Sequence, residues 1–213
     1  VHYAIPHAYA AYMAKKILLE KGKYLPVVTT LHGTDITLVG KHPSYKPAVT
    51  FSINKSDVVT SVSESLKKDT LSSFVIKSEI DVIPNFIDID LYNIEDQCDR
   101  SQIAPNNEKI VIHISNMRPV KRIPDVIEIF HRIAQEEDVI LLMLGDGPER
   151  ERAEQQVRDL GIAEKVRFLG KTTEVRRLLC MSDLFLLTSE KESFALVALE
   201  AMAAKVPVIS TNS

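Results

Sequence analysis

The hydrophobic and polar positions from residue 109 onward alternate between two periodicities. Short apolar runs typical of buried strands are separated by longer stretches with apolar residues at helical spacing. The pattern predicts strands at Ile110–Ile114, Val139–Leu144, Val166–Leu169, Leu184–Leu187 and Val206–Ile209. It predicts helices at Pro124–Ala134, Pro148–Leu160, Thr173–Met181 and Phe194–Ala204. Alternation of this kind indicates a parallel sheet covered by helices on both faces.

The first hundred residues repeat this pattern in part. Strands are predicted at Pro26–Leu31, Asp57–Ser61 and Ile80–Ile83, and helices at Ala8–Glu20, Ala48–Lys55 and Glu64–Phe74. Residues 85–108 are polar and lack sustained periodicity. We therefore expect an α/β protein with two Rossmann-like domains, at residues 1–95 and 108–213, joined by a linker at 96–107. Two such sheets form a cleft at the carboxyl ends of their strands, where ligands bind.

Composition and charge narrow the class of protein. The net charge of -3, from 26 basic and 29 acidic side chains, provides no long-range field to gather nucleic acid or an anionic membrane. Cys98 and Cys180 lie in no metal-binding or redox motif, and no apolar run reaches the ~20 residues that span a bilayer. We expect a cytoplasmic protein with no membrane segment. Because the chain starts at Val1 and stops just after a predicted strand, we also expect it to be truncated at both ends.

The acidic pair Glu192 and Glu200 follows the predicted strand that ends at Leu187. A spacing of eight would place both carboxylates near one helix face, with the first at or before the helix start, and a ligand with several hydroxyls could bind both. The alternative is that Glu192 is an acidic residue favoured at a helix N-terminus and that Glu200 is a solvated surface residue. Glu200, however, lies in a strongly apolar helix, where a carboxylate without a partner is costly. This favours a functional role for the Glu192 and Glu200 pair.

Two further motifs also follow predicted strands. Gly145-Asp-Gly-Pro148 permits a tight turn and close backbone approach, although a simple strand-to-helix turn explains it equally well. The loop Ser115–Arg122 has three cations, Arg118, Lys121 and Arg122, which suit a diphosphate. A solvated basic loop is the alternative for this motif.

In the first half, the predicted strand ending at Leu31 is followed by His32-Gly-Thr-Asp35. A histidine and an aspartate at this position can transfer a proton or stabilise charge near a reacting centre. His113 is interpreted as a core residue and His131 as a residue on the polar side of a helix. No set of His, Cys, Asp and Glu has the spacing of a metal site.

Together these motifs resemble the retaining glycosyltransferases of family 4. Glu192 and Glu200 match that family's Glu-x7-Glu motif, and the Gly145 turn matches one in its second domain. The likeness covers nearly the whole chain, including Val1–Ala8, Thr29–Thr37, Ser115–Arg122 and Ser189–Phe194. It implies two Rossmann-like domains facing across a cleft (the GT-B type), both incomplete here. It also implies transfer of N-acetylglucosamine from UDP-N-acetylglucosamine to L-malate, with retention of configuration, as the first step of bacillithiol synthesis.

The resemblance further implies roles for individual residues. Arg118 and Lys121 would hold the diphosphate, Glu192 the sugar hydroxyls, and His32 would lie beside the transferring sugar. The residues implied in donor binding are Glu200, at the ribose hydroxyls, with Gly145, Gly147, Ser193, Phe194 and Ala195. Those implied in acceptor binding are Tyr3, Thr30 and Asn116. Enzymes of this kind use no metal, because basic side chains take the role of a cation. We expect no cofactor, a UDP-sugar and a small carboxylate as partners, and no nucleic acid; a homodimer is an open alternative.

Three departures from the family pattern leave other functions open. Ala195 replaces a glycine, Ala204-Lys205 replaces a small pair ending in glycine, and the stretch around Thr50 lacks a basic residue that the resemblance leads us to expect. The alternatives are a family 4 transferase of surface polysaccharide or glycolipid synthesis, and an inactive nucleotide-sugar-binding module.

Overall fold

A computed structural model describes residues 1–94 and 98–211 of the chain. The chain divides into two compact units. The first unit comprises Val1–Phe86 together with Glu192–Phe194, and the second comprises Ile87–Lys191 and Ala195–Ser213. The chain thus leaves the second unit for three residues and then returns to it.

The first unit is built on a parallel three-stranded sheet in the order β1-β2-β3. The strands are β1 (Val28–Leu31), β2 (Val58–Ser61) and β3 (Ile80–Val82), and the helices are α1 (Tyr9–Glu20), α2 (Lys46–Lys55) and α3 (Glu64–Ser73). Each element predicted in this region is present, with ends that agree within two residues. The prediction of a parallel α/β arrangement is therefore confirmed here.

The first residues of the chain extend this sheet in a way that the sequence pattern did not predict. The Thr30 amide donates to the Val1 carbonyl oxygen at 2.9 Å, and the Tyr3 amide donates to the Thr30 carbonyl oxygen at 2.9 Å. This pairing lies beside β1. It brings the side chains of residues 2 and 3 to the carboxyl end of β1, where His32 follows.

The second unit contains a parallel five-stranded sheet. Its strands are β4 (Lys109–Ile114), β5 (Val139–Leu144), β6 (Val166–Gly170), β7 (Leu184–Leu187) and β8 (Val208–Ser210). Its longer helices are α4 (Ile123–Glu136), α5 (Arg150–Asp159), α6 (Val175–Cys180) and α7 (Leu196–Ala203). All were predicted within two residues at each end.

The order of these strands is β6-β5-β4-β7-β8, so the chain reverses its direction across the sheet between β4 and β7. The chain moves outward from β4 through β5 to β6, then returns to the other side of β4 and continues outward to β8. In open α/β sheets, the loops at such a reversal diverge and leave a crevice at the carboxyl ends of the two strands. The loops after β4 and β7 therefore flank the expected ligand crevice of this unit.

The three central strands of the second unit, β4, β5 and β7, are buried on both faces. On one face, Ile110 and Ile112 of β4 join a core with residues of α6 and α7. On the other face, Val111 joins a core with residues of α4 and α5. Side chains of a strand alternate between its faces, so a strand covered by helices on both sides must be apolar throughout. This explains the unbroken apolar runs in the sequence.

Cys98 and Cys180 form a disulfide, with their Cα atoms 5.7 Å apart and a separation of 82 positions in sequence. Sequence spacing gave no sign of this pair. The bond links the segment before β4 to the last residue of α6. Among the helices of residues 1–94 and 98–211, none is both long and apolar enough to cross a membrane.

Candidate active site

The loop after β4 is held in place by a buried histidine. His113 has its Nδ1 2.9 Å from the Leu186 carbonyl oxygen and its Nε2 2.9 Å from the Ser115 Oγ. The same hydroxyl accepts a hydrogen bond from the Met117 amide at 3.1 Å. Because a carbonyl oxygen can only accept, Nδ1 is the donor, and in the neutral ring Nε2 accepts from Ser115. His113 is thus a buried structural residue, as interpreted from sequence, and it positions the loop that carries the cations.

The glycine turn after β5 lies directly against this loop. A Cβ atom on Gly145 would collide with the Ser115 carbonyl oxygen, and one on Gly147 would collide with the Asn116 carbonyl oxygen. Gly145 also has a φ of 106°, which side-chain-bearing residues rarely adopt. Two motifs 30 residues apart in sequence thus meet through their backbones, and only glycine permits that approach.

The cations occupy a short turn that is tied to the loop after β7. The Thr188 hydroxyl donates to the Lys121 carbonyl oxygen at 2.8 Å, and the Glu190 amide donates to the Val120 carbonyl oxygen at 2.9 Å. These bonds join the two loops that flank the reversal between β4 and β7. Arg122 forms an ion pair with Asp125 at 2.5 Å, whereas the side chain of Arg118 is exposed. The predicted diphosphate residues Arg118 and Lys121 therefore lie at the expected crevice.

Glu200 lies on α7 and is partly buried. Burial raises the pKa of its carboxyl group, and hydrogen bonding with Tyr92 acts in the opposite direction. Burial also raises the pKa of the Tyr92 phenol, as does the charge of Glu200. The sequence suggested that Glu200 needs a partner but did not identify one, since Tyr92 lies in a region without periodicity.

Ala195 directly precedes α7 and has a left-handed backbone, with φ 60° and ψ 55°. The sequence comparison with family 4 places a glycine at this position. A non-glycine residue in this conformation costs roughly 1 kcal/mol because its Cβ approaches the neighbouring carbonyl oxygen. Lys205, two residues after the end of the same helix, also has a positive φ of 62°. The chain therefore adopts the glycine-type backbone at both departures and bears its strain.

We expect Ala195→Gly to raise the free energy of unfolding by about 1 kcal/mol, because glycine removes the Cβ strain. Ala204→Gly is the matched control, since Ala204 follows the same helix with an ordinary φ of -77°. That variant should instead lose roughly 0.5 kcal/mol through the greater flexibility of the unfolded chain. Urea unfolding followed by circular dichroism measures both. A shift of both variants in the same direction would contradict the conformational explanation.

In the first unit, the structure brings His32 and Tyr3 together and adds His2. The rings of Tyr3 and His32 have centroids 5.0 Å apart, and the His2 Nδ1 lies 2.7 Å from the His32 Nε2. Burial lowers the pKa of His32, and the nearby His2 lowers it further, against the opposing effect of Asp35. The net lowering of its pKa favours the neutral form of the His32 ring. His2 was not singled out from the sequence, because the pairing of residues 1–3 with β1 was not foreseen.

Asp35 has its oxygens engaged by backbone amides. It accepts hydrogen bonds from Ala4 at 2.7 Å and Gly33 at 3.0 Å, with a longer one from His32 at 3.3 Å. This buried carboxylate thus fixes the turn that presents His32. The predicted acceptor residue Thr30 has its hydroxyl within β1, where it accepts from the Thr60 hydroxyl at 2.9 Å.

The segment Glu192–Phe194 packs within the first unit. The Ser63 hydroxyl donates to the Ser193 carbonyl oxygen at 2.7 Å, and a Cβ on Gly33 would collide with the Ser193 side chain. Phe194 packs against the hydrophobic core of this unit. Because α7 begins only at Leu196, Glu192 precedes the helix start, as the sequence allowed, and the two carboxylates do not share a helix face. Glu192 lies in the connection before the helix.

Within residues 1–94 and 98–211, no group of three or more His, Cys, Asp or Glu side chains is arranged to hold a metal ion. Among the described residues, the second unit provides the cations Arg118 and Lys121. The first unit provides the cluster of His2, Tyr3 and His32. Open α/β sheets bind ligands in the crevice beside such a strand reversal, and a basic loop there suits an anionic ligand such as a diphosphate.

Residues 95–213 match the family model of the glycosyl transferases group 1, and residues 1–91 match that of glycosyltransferase family 4. The chain therefore belongs to the glycosyl transferases group 1 family. It is 50% identical, over its whole length, to the N-acetyl-alpha-D-glucosaminyl L-malate synthase of Bacillus anthracis, of which it spans 55%. It is 30% identical, over 74% of its length, to the poly(ribitol-phosphate) alpha-N-acetylglucosaminyltransferase of Staphylococcus aureus, of which it spans 30%.

A solved structure shows the same architecture. The Anabaena protein HepE, in complex with UDP and glucose, aligns with 97% of the chain at a TM-score of 0.84 and 25% identity, and the match covers 57% of HepE. The resemblance to family 4 and the GT-B type of fold are confirmed by these similarities. The chain spans about half the length of the malate synthase and of HepE.

Proposed function

We propose that the protein transfers N-acetylglucosamine from UDP-N-acetylglucosamine to L-malate, with retention of configuration. The observation that carries this proposal is the 50% identity, along the whole chain, to a protein named for that reaction. The donor has additional support, because a second relative with a different acceptor is also named as an N-acetylglucosaminyltransferase. The choice of malate rests on the first relative alone.

In the proposed reaction, the bond between the anomeric carbon of the sugar and the UDP oxygen breaks. The hydroxyl oxygen of malate bonds to that carbon, and its proton is released. Negative charge then grows on the departing diphosphate. Arg118 and Lys121 stabilise this charge in our proposal, since preorganised cations act most strongly where charge develops. Arg provides a planar pair of donors and Lys a compact charge.

The remaining residues position the two substrates. Glu200 would accept hydrogen bonds from the ribose hydroxyls and Glu192 from the sugar hydroxyls. Gly145 and Gly147 would allow the loops after β4 and β5 to pack closely where the nucleotide binds. The same donor pocket would include Ser193, Phe194 and Ala195. For the acceptor we retain Tyr3, Thr30 and Asn116, although the Thr30 hydroxyl is already paired with Thr60. Burial lowers the pKa of His32 and so favours its neutral ring, which can donate or accept a hydrogen bond beside the sugar.

The proposal also includes a cytoplasmic location, and a homodimer stays open. No cofactor or metal is part of the proposed mechanism, because the cations take the charge of the leaving group. Size-exclusion chromatography with light scattering would determine the oligomeric state, and cell fractionation the location.

The decisive experiment mixes the complete protein with UDP-N-acetylglucosamine and L-malate and detects the product by mass spectrometry. Glycerate and a lipid-linked acceptor serve as controls. A malate glycoside supports the proposal. UDP release only with other acceptors would retain the transferase and exclude malate. Binding of UDP without product from any acceptor would instead favour a nucleotide-sugar-binding module.

A further inference from the structure

Two histidine rings meet at the carboxyl end of β1. The His2 Nδ1 lies 2.7 Å from the His32 Nε2, and the centroids of the two rings are 4.9 Å apart. A distance this short between two ring nitrogens is that of a hydrogen bond, so one nitrogen carries the proton and the other accepts it. The protonation of each ring therefore depends on that of the other.

The backbone around His2 is held in place independently of this contact between side chains. The Tyr3 amide donates to the Thr30 carbonyl oxygen at 2.9 Å. The His7 Nδ1 lies 2.7 Å from the His2 carbonyl oxygen, and because a carbonyl oxygen only accepts, His7 is the donor. These bonds dock the segment beside β1 without the His2 ring. The bond from that ring to His32 thus acts on the His32 side chain.

Tyr3, the next residue, also turns its ring toward His32. The centroids of these two rings are 5.0 Å apart, although neighbouring side chains of a regular strand point to opposite faces. Tyr3 has a φ of 70°, which residues other than glycine rarely adopt. Backbone strain of this kind persists where the surrounding structure imposes it, and it is concentrated at functional sites. The turn at Tyr3 allows two neighbouring side chains to contact one histidine.

The difference in burial between the two histidines indicates which ring donates. The His2 side chain is exposed, whereas that of His32 is half-buried. Burial disfavours a charged imidazole, so a positive charge on the pair lies on His2. A charged ring has a proton on both nitrogens and can only donate. The His32 Nε2 then accepts, and the single proton of its neutral ring lies on Nδ1.

We propose that His2 is a positioning residue that donates a hydrogen bond from its Nδ1 to the His32 Nε2 and thereby fixes the orientation and tautomer of the His32 ring for sugar transfer. The inference rests on the proposed function, because it assumes that His32 lies beside the transferring sugar. Among the residues that the structure describes, no hydrogen bond engages the His32 Nδ1. The N–H at that nitrogen is therefore the group that His32 offers to a sugar oxygen.

The first test determines the tautomer of His32 in the complete protein by nuclear magnetic resonance. Protonated and unprotonated nitrogens of a histidine ring differ in chemical shift, so labelling histidine with nitrogen-15 distinguishes Nδ1–H from Nε2–H. The signals that disappear in His32→Asn identify His32. We expect the proton on Nδ1 in the unaltered protein and a mixture of both tautomers in His2→Phe. Phenylalanine keeps a ring beside His32 but has no nitrogen.

The second test measures transfer of N-acetylglucosamine to malate by the same variants. His2→Phe is expected to lower kcat/KM about fivefold, as the loss of one hydrogen bond allows. His2→Asn should restore kcat/KM to within about twofold of the unaltered protein, because its amide is a donor close to the place of the imidazole Nδ1. Rescue by asparagine separates the hydrogen bond from the bulk of the ring.

His42→Phe is the matched control. His42 is an exposed histidine of the same unit, and its Nδ1 also forms a hydrogen bond, accepting from the Ser44 amide at 3.3 Å. This variant should leave both the His32 tautomer and kcat/KM unchanged. An effect equal to that of His2→Phe would reflect the loss of any surface histidine and would overturn the inference.

The outcomes separate the inference from the proposed function. A proton on Nε2 of His32 in the unaltered protein, or the same tautomer in His2→Phe, overturns the inference. So does an unchanged kcat/KM in His2→Phe, or equal losses in His2→Phe and His2→Asn, because residue 2 would then not act through this hydrogen bond. If the unaltered protein transfers sugar to no acceptor, the proposed function is wrong, whatever the tautomer of His32, and the inference fails with it.

Discussion

Replacing both Arg118 and Lys121 with methionine is expected to lower kcat/KM for sugar transfer by about a thousandfold. Each side chain is proposed to stabilise charge on the departing diphosphate, and removal of one such group typically costs a hundredfold to a thousandfold. Methionine retains much of the length of the side chains and removes their charge. Initial rates of UDP release, measured over a range of donor concentrations, provide kcat and KM separately.

Arg122→Met is the matched control for this prediction. Arg122 belongs to the same loop, but its guanidinium is paired with Asp125 at 2.5 Å, and exposed ion pairs of this kind contribute little to stability. Its activity should stay within about threefold of the unaltered protein. Equal losses in both variants would indicate that the loop acts through its general positive charge. Full activity in the double variant would remove Arg118 and Lys121 from the proposed mechanism.

Gly145→Ala is expected to destabilise the protein by about 4 kcal/mol, near the upper end of single substitutions. Two effects add, because the backbone has a φ of 106° and the new Cβ would collide with the Ser115 carbonyl oxygen. Since the obstacle is backbone, the two loops must separate to relieve the collision. Urea unfolding measures the loss, and UDP titration of the folded fraction should show weaker binding.

Gly161→Ala separates the two effects. Gly161 also has a positive φ, of 70°, but a Cβ there would meet no other atom within 4 Å. Its substitution should cost only about 1 kcal/mol, the penalty of the left-handed conformation alone. If Gly145→Ala cost no more than Gly161→Ala, close contact between the loops after β4 and β5 would not be what requires glycine at position 145.

Much of the candidate site could be predicted, because its residues directly follow strands that their apolar runs reveal. Arg118, Lys121 and Gly145 each lie just after such a run, and a parallel sheet gathers the carboxyl ends of its strands at one edge. Tyr92 and His2 could not be predicted in this way. Tyr92 lies in a segment without periodicity, and His2 is positioned by hydrogen bonds of its neighbours to β1.

The sequence by itself determined the elements, their parallel arrangement and the motifs at the strand ends. A strand buried on both faces is apolar throughout, whereas a helix that packs on one face is amphipathic, so each leaves its own pattern in the sequence. Tertiary structure alone decided three other features. It placed the strand reversal between β4 and β7, paired Cys98 with Cys180, and assigned Glu192–Phe194 to the first unit. These depend on contacts between residues distant in sequence, and local periodicity carries no information about which distant segments meet.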